Sequence, residues 1–394
     1  MPETRYKVGW LARGLLLVFG LLVALVLVEI GGRVVAGFEP LPRWTQRFNA
    51  KVGYELRPHN EYTYASVNGE FENLVRTNSR GLHDVEHTLD KPRDTFRILI
   101  VSDSYGQARE VPLAINFARQ LEVLLNANPA QPVTFEVINA GQFGLGTTQE
   151  YLYYRYEGSK YDPDLVLLGF YVGNDVVDNH APLIRAWNDI NTVDFPYYSP
   201  DGTLHQPGTT TRRQTMSWLR NNVYLVHAIA TGEQPDRVEV GDSDLSGAAL
   251  RVPMGIYLPP DDVWQDAWAV TELVLGEFDT EVAGDDAQLA VFVIPDRRQL
   301  YAADWDATLA RLPDLDPAAL DRERPTRTVI DILGELDIPA LNLLEPFQAA
   351  DERLYFEGDG HFNPAGHTLT AQTLATWLVD TELIPLADVG GTPD

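Results

Sequence analysis

Short apolar runs and amphipathic stretches alternate along most of the chain. Ile98 to Val101 are four apolar, largely β-branched residues in a row, the pattern of a parallel strand covered on both faces. Comparable runs recur in "VTFEVINA" (133–140), "DPDLVLLGFY" (162–171), "AQLAVFVIP" (287–295) and "IPALNLL" (338–344). Between them the spacing of apolar residues predicts helices over about Leu113–Asn126, Thr147–Tyr156, "RTVIDILGEL" (327–336) and Pro364–Val379. "DVWQDAWAVTELVLGEF" (262–278) places Val263, Trp264, Ala267, Trp268, Val274 and Phe278 on one helical face. Strands alternating with helices in this way predict an α/β domain with a doubly wound, flavodoxin-like, five-stranded parallel sheet over residues 95–385. The alternation lapses at about 179–259, an insertion with one amphipathic helix near "SWLRNNVYLVHAIA" (217–230), where a lid or specificity loop is expected. Residues 38–94 are mixed and polar; "VNGEFENLVRTNSRGL" (67–82) suggests a hairpin in a stalk that packs on the main domain. Residues 386–394 read as a C-terminal tail.

The N-terminal pattern is different. Leu15 to Val28 are uninterrupted apolar, and a helix begun at Trp10 has about twenty residues, enough to span a bilayer. Arg5, Lys7 and Arg13 lie at its start, so residues 1–37 read as a cytoplasmic N-terminus and single transmembrane anchor, with the rest of the chain outside the cytoplasm. Glu29 and Arg33, one turn apart, can pair at the far interface. A cleaved signal peptide is the alternative, with Val34-x-Ala36 as its cleavage pattern.

Composition narrows the partners and the chemistry. The chain has 394 residues, 45% of them hydrophobic, sufficient for a large core. A net charge of −27, from 57 acidic and 30 basic residues, disfavours nucleic acid and anionic partners, with Arg297-Arg298 as a local basic patch that could offset it. The absence of cysteine removes disulfides, thiolate metal sites and cysteine nucleophiles.

Four segments of chemical interest fall where strands end: Asp103-Ser104, "NAGQFGLGTT" (139–148), "GND" (173–175) and "DGHFNPAGH" (359–367). Open parallel sheets bind ligands at that carboxyl edge. Taken singly each has a plain structural reading. Ser104 suits a helix N-cap, Gly144 and Gly-Asn-Asp suit turns, and Asp359 and His361 suit a surface loop. Together, a serine that needs an imidazole to take its proton, an imidazole that needs a carboxylate, and donors for an oxyanion form one acyl-transfer set. In an extended segment Asp359 and His361 would share a face, and Glu357 is the close rival acid. "GQFGLG" lacks the lysine and hydroxyl of a P-loop. The other histidines show no metal-ligand spacing, and His367 reads as packing in the last helix.

In these four ordered blocks, over about residues 95–385, the chain resembles the SGNH hydrolases, or GDSL-type esterases, and in "VRTNSRGLHD", "IPDRRQLY" and "DRERPTRTVIDIL" it resembles membrane-anchored bacterial members. The resemblance implies Ser104 as nucleophile, His361 as base and Asp359 as its partner. It implies an oxyanion hole of the Ser104 and Gly144 backbone amides and the Asn174 side chain, with Gly141 as the neighbouring candidate for Gly144. Two departures stand out. Ser102 and Tyr105 replace the customary glycine and leucine around Asp-Ser, and the acid lies two residues before the histidine, not three. That Asp-x-His spacing looks like the branch of alginate-type O-acetyltransferases. The expected function is an extracytoplasmic serine esterase acting on an acylated carbohydrate or lipid. The alternatives are an O-acyltransferase using the same acyl-enzyme and a catalytically silent glycan-binding or assembly protein. No cofactor or metal is implied.

Overall fold

The computed structural model describes residues 9–35, 45–127, 132–188, 193, 195–206, 210–226, 237–240 and 247–385. Arg5, Lys7, Ala36, the end of the expected 217–230 helix and the tail 386–394 lie outside the described residues. Two compact units divide the chain. One holds residues 1–44 and 210–235, the other residues 45–209 and 236–394.

Helix α1 (Trp10–Val35) is long and apolar enough to cross a membrane and buries none of its residues. At its end Arg33 Nε donates to Glu29 Oε1 at 2.8 Å. In the larger unit, antiparallel β1 (Gln46–Asn49) and β2 (Gly53–Leu56) are followed by antiparallel β3 (Glu61–Ser66) and β4 (Glu72–Arg76). The second hairpin thus spans 61–76, starting and ending earlier than the expected 67–82, and turns at 67–71, where Gly69 supplies the positive φ of +79° that the tight turn needs.

β5 (Thr95–Ser102) opens the central sheet and runs into the one-turn helix α2 (Ser104–Gln107). Then come α3 (Phe117–Leu125), β6 (Thr134–Asn139), α4 (Thr147–Tyr156), β7 (Leu165–Tyr171), α5 (Asp175–Asp178) and α6 (Ala181–Asn188). The expected 113–126 helix is interrupted because the Asn116 side chain caps α3, accepting from the Ala118 N–H at 2.8 Å. The insertion contributes a short hairpin, β8 (Tyr197–Tyr198) and β9 (Leu204–His205), then α7 (Thr211–Asn222) in the smaller unit, and β10 (Arg237–Val240), which pairs parallel with β3. α7 starts earlier than the pattern predicts and stops at Val223, whose backbone is extended (φ −113°, ψ 113°). β11 (Gln288–Ile294) and β12 (Ala340–Asn342) complete the sheet.

The sheet order is β12-β11-β7-β5-β6, with every pair parallel. Numbered along the chain this is the 2-1-3-4-5 doubly wound order, whose crevice opens between the carboxyl ends of β5 and β7. β5 shows why its sequence lacks polar alternation. Ile98 and Ile100 pack on one face with α3 and the helix Pro364–Asp380, while Leu99 and Val101 pack on the other with α4 and the helix Asp262–Gly284. Burying each such side chain stabilises the fold by about 1.5–3 kcal/mol.

Candidate active site

Ser104 begins α2 immediately past β5. The N-cap is Asp103, whose Oδ1 accepts the Tyr105 N–H at 2.9 Å. The serine hydroxyl is therefore not spent on capping, and His361 Nε2 lies 2.8 Å from Ser104 Oγ. On the other side of the ring, His361 Nδ1 lies 2.6 Å from Asp359 Oδ1.

The segment that carries these two residues is a turn, which corrects the extended geometry expected of it. Gly360 has φ +89°, and a Tyr355–Phe362 bridge closes the turn at its base. Asp359 Oδ1 also accepts the His361 N–H at 3.1 Å, the self-bonding that aspartate favours in turns. One oxygen thus fixes both the backbone and the ring. Glu357 does not share the face of Asp359: its residue is exposed, its N–H donates to Glu70 Oε1 at 2.8 Å and its carbonyl accepts from Arg297 Nη1 at 2.7 Å.

Three contacts from distant parts of the sequence hold this turn. Glu70, in the β3–β4 turn, accepts the backbone N–H groups of Glu357, Gly358 and Asp359 at 2.8, 3.0 and 3.3 Å. Arg297 holds the Glu357 carbonyl, as above. Tyr105 donates its hydroxyl to the Gly360 carbonyl at 3.0 Å and packs its ring against His361 and Phe362 at centroid distances of 5.0 and 4.8 Å. Tyrosine in place of leucine after the serine thus ties the turn of Ser104 to the turn of His361. Ser102 is accommodated because it faces Gly169, whose carbonyl accepts its hydroxyl at 3.1 Å.

The sequence reading missed Glu110. Its buried carboxylate has Oε1 3.5 Å from His361 Nδ1, and neither oxygen has a hydrogen-bond partner among the described residues. Glu110, not Glu357, is the second carboxylate at His361, and Asp359 makes the shorter contact at 2.6 Å. Burial opposes charge on His361, but the Glu110 and Asp359 carboxylates outweigh it and raise its pKa to about 9. Burial raises the pKa of Glu110, opposed by His361 and Arg109. Burial also acts upward on Asp359, but His361 lowers it more. The Arg109 guanidinium is stacked over Tyr64 and Phe143 at 4.3 and 4.1 Å and places a fixed positive charge beside the two acids. Glu110, Asp359 and His361 also bring three potential ligand atoms within 4.8 Å of one another. The 2.6 Å Nδ1–Oδ1 contact is a hydrogen-bond distance, shorter than two donors take around one ion at ~2.1 Å from each.

Asn174 stands at the end of β7 beside Asp103. Its Nδ2 donates to Asp178 Oδ2 at 3.1 Å, and its side chain also hydrogen-bonds the Asp103 carboxylate, which fixes the amide. Burial pushes the Asp178 carboxyl up to about 7, with Asp103 adding to the effect. Of the two glycines, Gly141 packs its Cα against Gly106, where a Cβ would lie 2.3 Å from backbone, and its N–H donates to Asn139 Oδ1 at 3.0 Å. Gly144 has φ +76° and open space around it, and its N–H has no acceptor among the described residues.

The remaining candidates are structural. His83 Nδ1 lies 2.7 Å from the Gln107 carbonyl, and His87 sits between Asp84 and Glu136. His367 is buried against Phe117 and Phe362, and burial lowers its pKa to about 3. Arg298 is neutralised by Asp296 and Arg297 binds the catalytic turn, so the pair is not a free basic patch.

Residues 263–389 match the model of a family described as SGNH hydrolase-like domain, acetyltransferase AlgX. The matched segment contains Asp359 and His361 and stops short of Ser104 and Asn174. No curated protein matches the chain. Among solved structures the chain is similar to a lipase/acylhydrolase from Enterococcus faecalis, at 12% identity and TM-score 0.38, covering 73% of this chain and 96% of that one. It is also similar to the acetyl xylan esterase AlAXEase, at 10% identity and TM-score 0.38, covering 71% and 98%. A two-domain esterase active on acetylated mannans gives 11% identity and TM-score 0.38, covering 76% and 53%. Over residues 263–389 the chain thus matches an SGNH hydrolase-like domain, in a molecule built on a doubly wound parallel sheet.

Proposed function

We propose that the protein is a serine esterase that removes a small acyl group from an acylated carbohydrate or lipid outside the cytoplasm. The observation that carries this reading is the contact of His361 with Ser104 Oγ at 2.8 Å and with Asp359 at 2.6 Å. Ser104 Oγ attacks the acyl carbonyl as its proton passes to His361 Nε2. The oxyanion takes the backbone N–H groups of Ser104 and Gly144 and an N–H of the Asn174 side chain. Collapse expels the alcohol, which receives the proton from His361 Nε2. Water then attacks the Ser104 ester, gives its proton to the same nitrogen, and the acid leaves as Ser104 is restored. Asp359 keeps Nδ1 protonated and stabilises the imidazolium.

One observation favours a second reading, in which a carbohydrate hydroxyl replaces water. The family model matched over the segment of Asp359 and His361 is that of an acetyltransferase. The anchor belongs to the same proposal: α1 stays attached, with its N-terminus cytoplasmic. Glu29 supports retention, because its carboxylate accepts the N–H groups of Tyr224 and Leu225 at 2.8 and 3.0 Å, a contact that cleavage near Ala36 would remove.

A fluorophosphonate probe on the full-length protein tests the nucleophile. Labelling should vanish in Ser104→Ala, and kcat for p-nitrophenyl acetate should fall by roughly four orders of magnitude or more in Ser104→Ala and His361→Ala. Undiminished labelling of Ser104→Ala overturns the assignment. Product analysis with acetyl donor and a soluble polysaccharide separates the readings: free acetate means hydrolysis, acetylated polysaccharide means transfer.

A further inference from the structure

α7 is unlike the rest of the chain in charge. Its 12 residues, "TRRQTMSWLRNN", contain three arginines and no carboxylate, in a chain of net charge −27. Met216 and Trp218 are 50% and 60% exposed, and Arg212 is exposed with them. A short helix that turns large apolar side chains and arginine toward solvent is poorly suited to water alone. It has the chemistry of a helix lying in a membrane interface, with apolar side chains in the acyl boundary and cations among anionic headgroups.

The structure also fixes how far this helix lies from the apolar span. α7 ends at Asn222, and after Val223 the N–H groups of Tyr224 and Leu225 are held by Glu29. The Tyr224 ring lies directly on Gly32, where a Cβ would meet it at 2.4 Å. Glu29 is the first residue past the apolar run Leu15–Val28. A run of about twenty apolar residues matches a hydrocarbon core ~30 Å thick, so Glu29 stands at its boundary and Tyr224 stands beside it. One residue then separates α7 from that level, and at 1.5 Å per residue the whole helix lies within about 18 Å of it. Arginines keep it out of the hydrocarbon core itself.

We propose that α7 docks on the bilayer that α1 spans, through contact of Met216 and Trp218 with the acyl boundary and of Arg212 with anionic phospholipid headgroups. This rests on the reading of α1 as a retained anchor. The insertion thereby takes a second hold on the membrane, separate from the span.

The chain lacks cysteine, so a single introduced cysteine carries a single probe. The full-length protein is reconstituted into vesicles of phosphatidylcholine and phosphatidylglycerol as Leu22→Cys in α1, Met216→Cys in α7 or Val123→Cys in α3, all exposed positions. Each is labelled with an environment-sensitive fluorophore and exposed to spin-labelled lipid. The expected result is a blue shift and strong quenching at Leu22 and at Met216, none at Val123, and loss of the Met216 quenching in vesicles of phosphatidylcholine alone. Quenching at Leu22 with a Met216 probe as water-exposed as Val123 overturns the docking of α7 and leaves the anchor standing. A Met216 probe shielded without lipid quenching, and only at high protein density, means that a second copy covers the helix and also overturns it. Absence of quenching at Leu22 removes the anchor and the docking together. Quenching at Met216 that persists in phosphatidylcholine alone overturns the role of the anionic headgroups.

Discussion

His361 faces two carboxylates where the proposed serine mechanism requires one. Asp359 Oδ1 lies 2.6 Å from its Nδ1, while Glu110 adds charge at 3.5 Å without a hydrogen bond of its own. The consequence is a base held too basic for neutral pH. A group raised to about 9 is protonated below that pH and cannot accept the Ser104 proton, so kcat/KM should rise toward alkaline pH with an apparent midpoint near 9. The three groups titrate as a unit. Glu110→Gln removes one negative charge, so the midpoint should move to lower pH while the fold is kept. Asp359→Asn should instead lower kcat by about 10⁴-fold, through loss of the tautomer. A pH–rate profile of the wild type and both variants checks this, and an unmoved midpoint in Glu110→Gln denies Glu110 its electrostatic role.

The β3–β4 hairpin acts on the site through one side chain at its turn. Glu70 gathers three backbone N–H groups of the turn that presents Asp359. Hydrogen bonds to a charged group contribute about 1.5–3 kcal/mol each, and part of that holds the turn in place. Glu70→Ala should reduce kcat by about tenfold or more with little change in melting temperature, and Glu70→Gln, which keeps an acceptor oxygen, should lose less. Equal, full activity in both would mean that the turn holds itself. The strands and the positions of Ser104 and Asn174 after β5 and β7 were legible in sequence because unbroken apolar runs mark buried strands and their ends mark the sheet edge. Asp359-x-His361, in contrast, follows no strand directly: the helix Leu344–Gln348 comes between it and β12. Glu110 was not legible. It lies in an irregular loop six residues past Ser104, and only the docking of residues 355–362 brings it to His361. Glu70 was hidden for the same reason, since a glutamate in a hairpin turn looks like any solvated charge. The turn geometry of Asp359 was missed because Asp-x-His was read as an extended segment, whereas Gly360 takes a positive φ there.

Across the described residues of the larger unit, four buried acids near the site shift the same way. Burial raises Asp103 to about 6 and Asp178 to about 7, and raises Glu150 and Asp175 well above the ordinary carboxylate range. In the unfolded chain such groups lose their protons near pH 4. Between those values the folded state holds more protons than the unfolded one, so stability falls as pH rises. His361 acts in the same sense. Its contribution is full below about 6.5 and is lost as pH rises through about 9. Asp296 and Glu136 are lowered instead, and their contribution is lost only on stronger acidification. Calorimetry should therefore give a higher melting temperature near pH 5.5 than near pH 8.5; the opposite order would show that these carboxyls are hydrated in the folded protein.

The bond from Tyr105 to Gly360 and the contact from Ser104 to His361 join positions 255 and 257 residues apart. On the proposed mechanism the nucleophile is therefore made long before its base during synthesis. A chain that has emerged as far as β11 has a serine with nothing to take its proton, and acyl groups it meets are safe from it. Chemistry switches on only when residues 355–362 dock, so turnover reports completed folding. A chain stopped before Glu357 should bind no fluorophosphonate, whereas one extended through the helix Pro364–Asp380 should bind it fully.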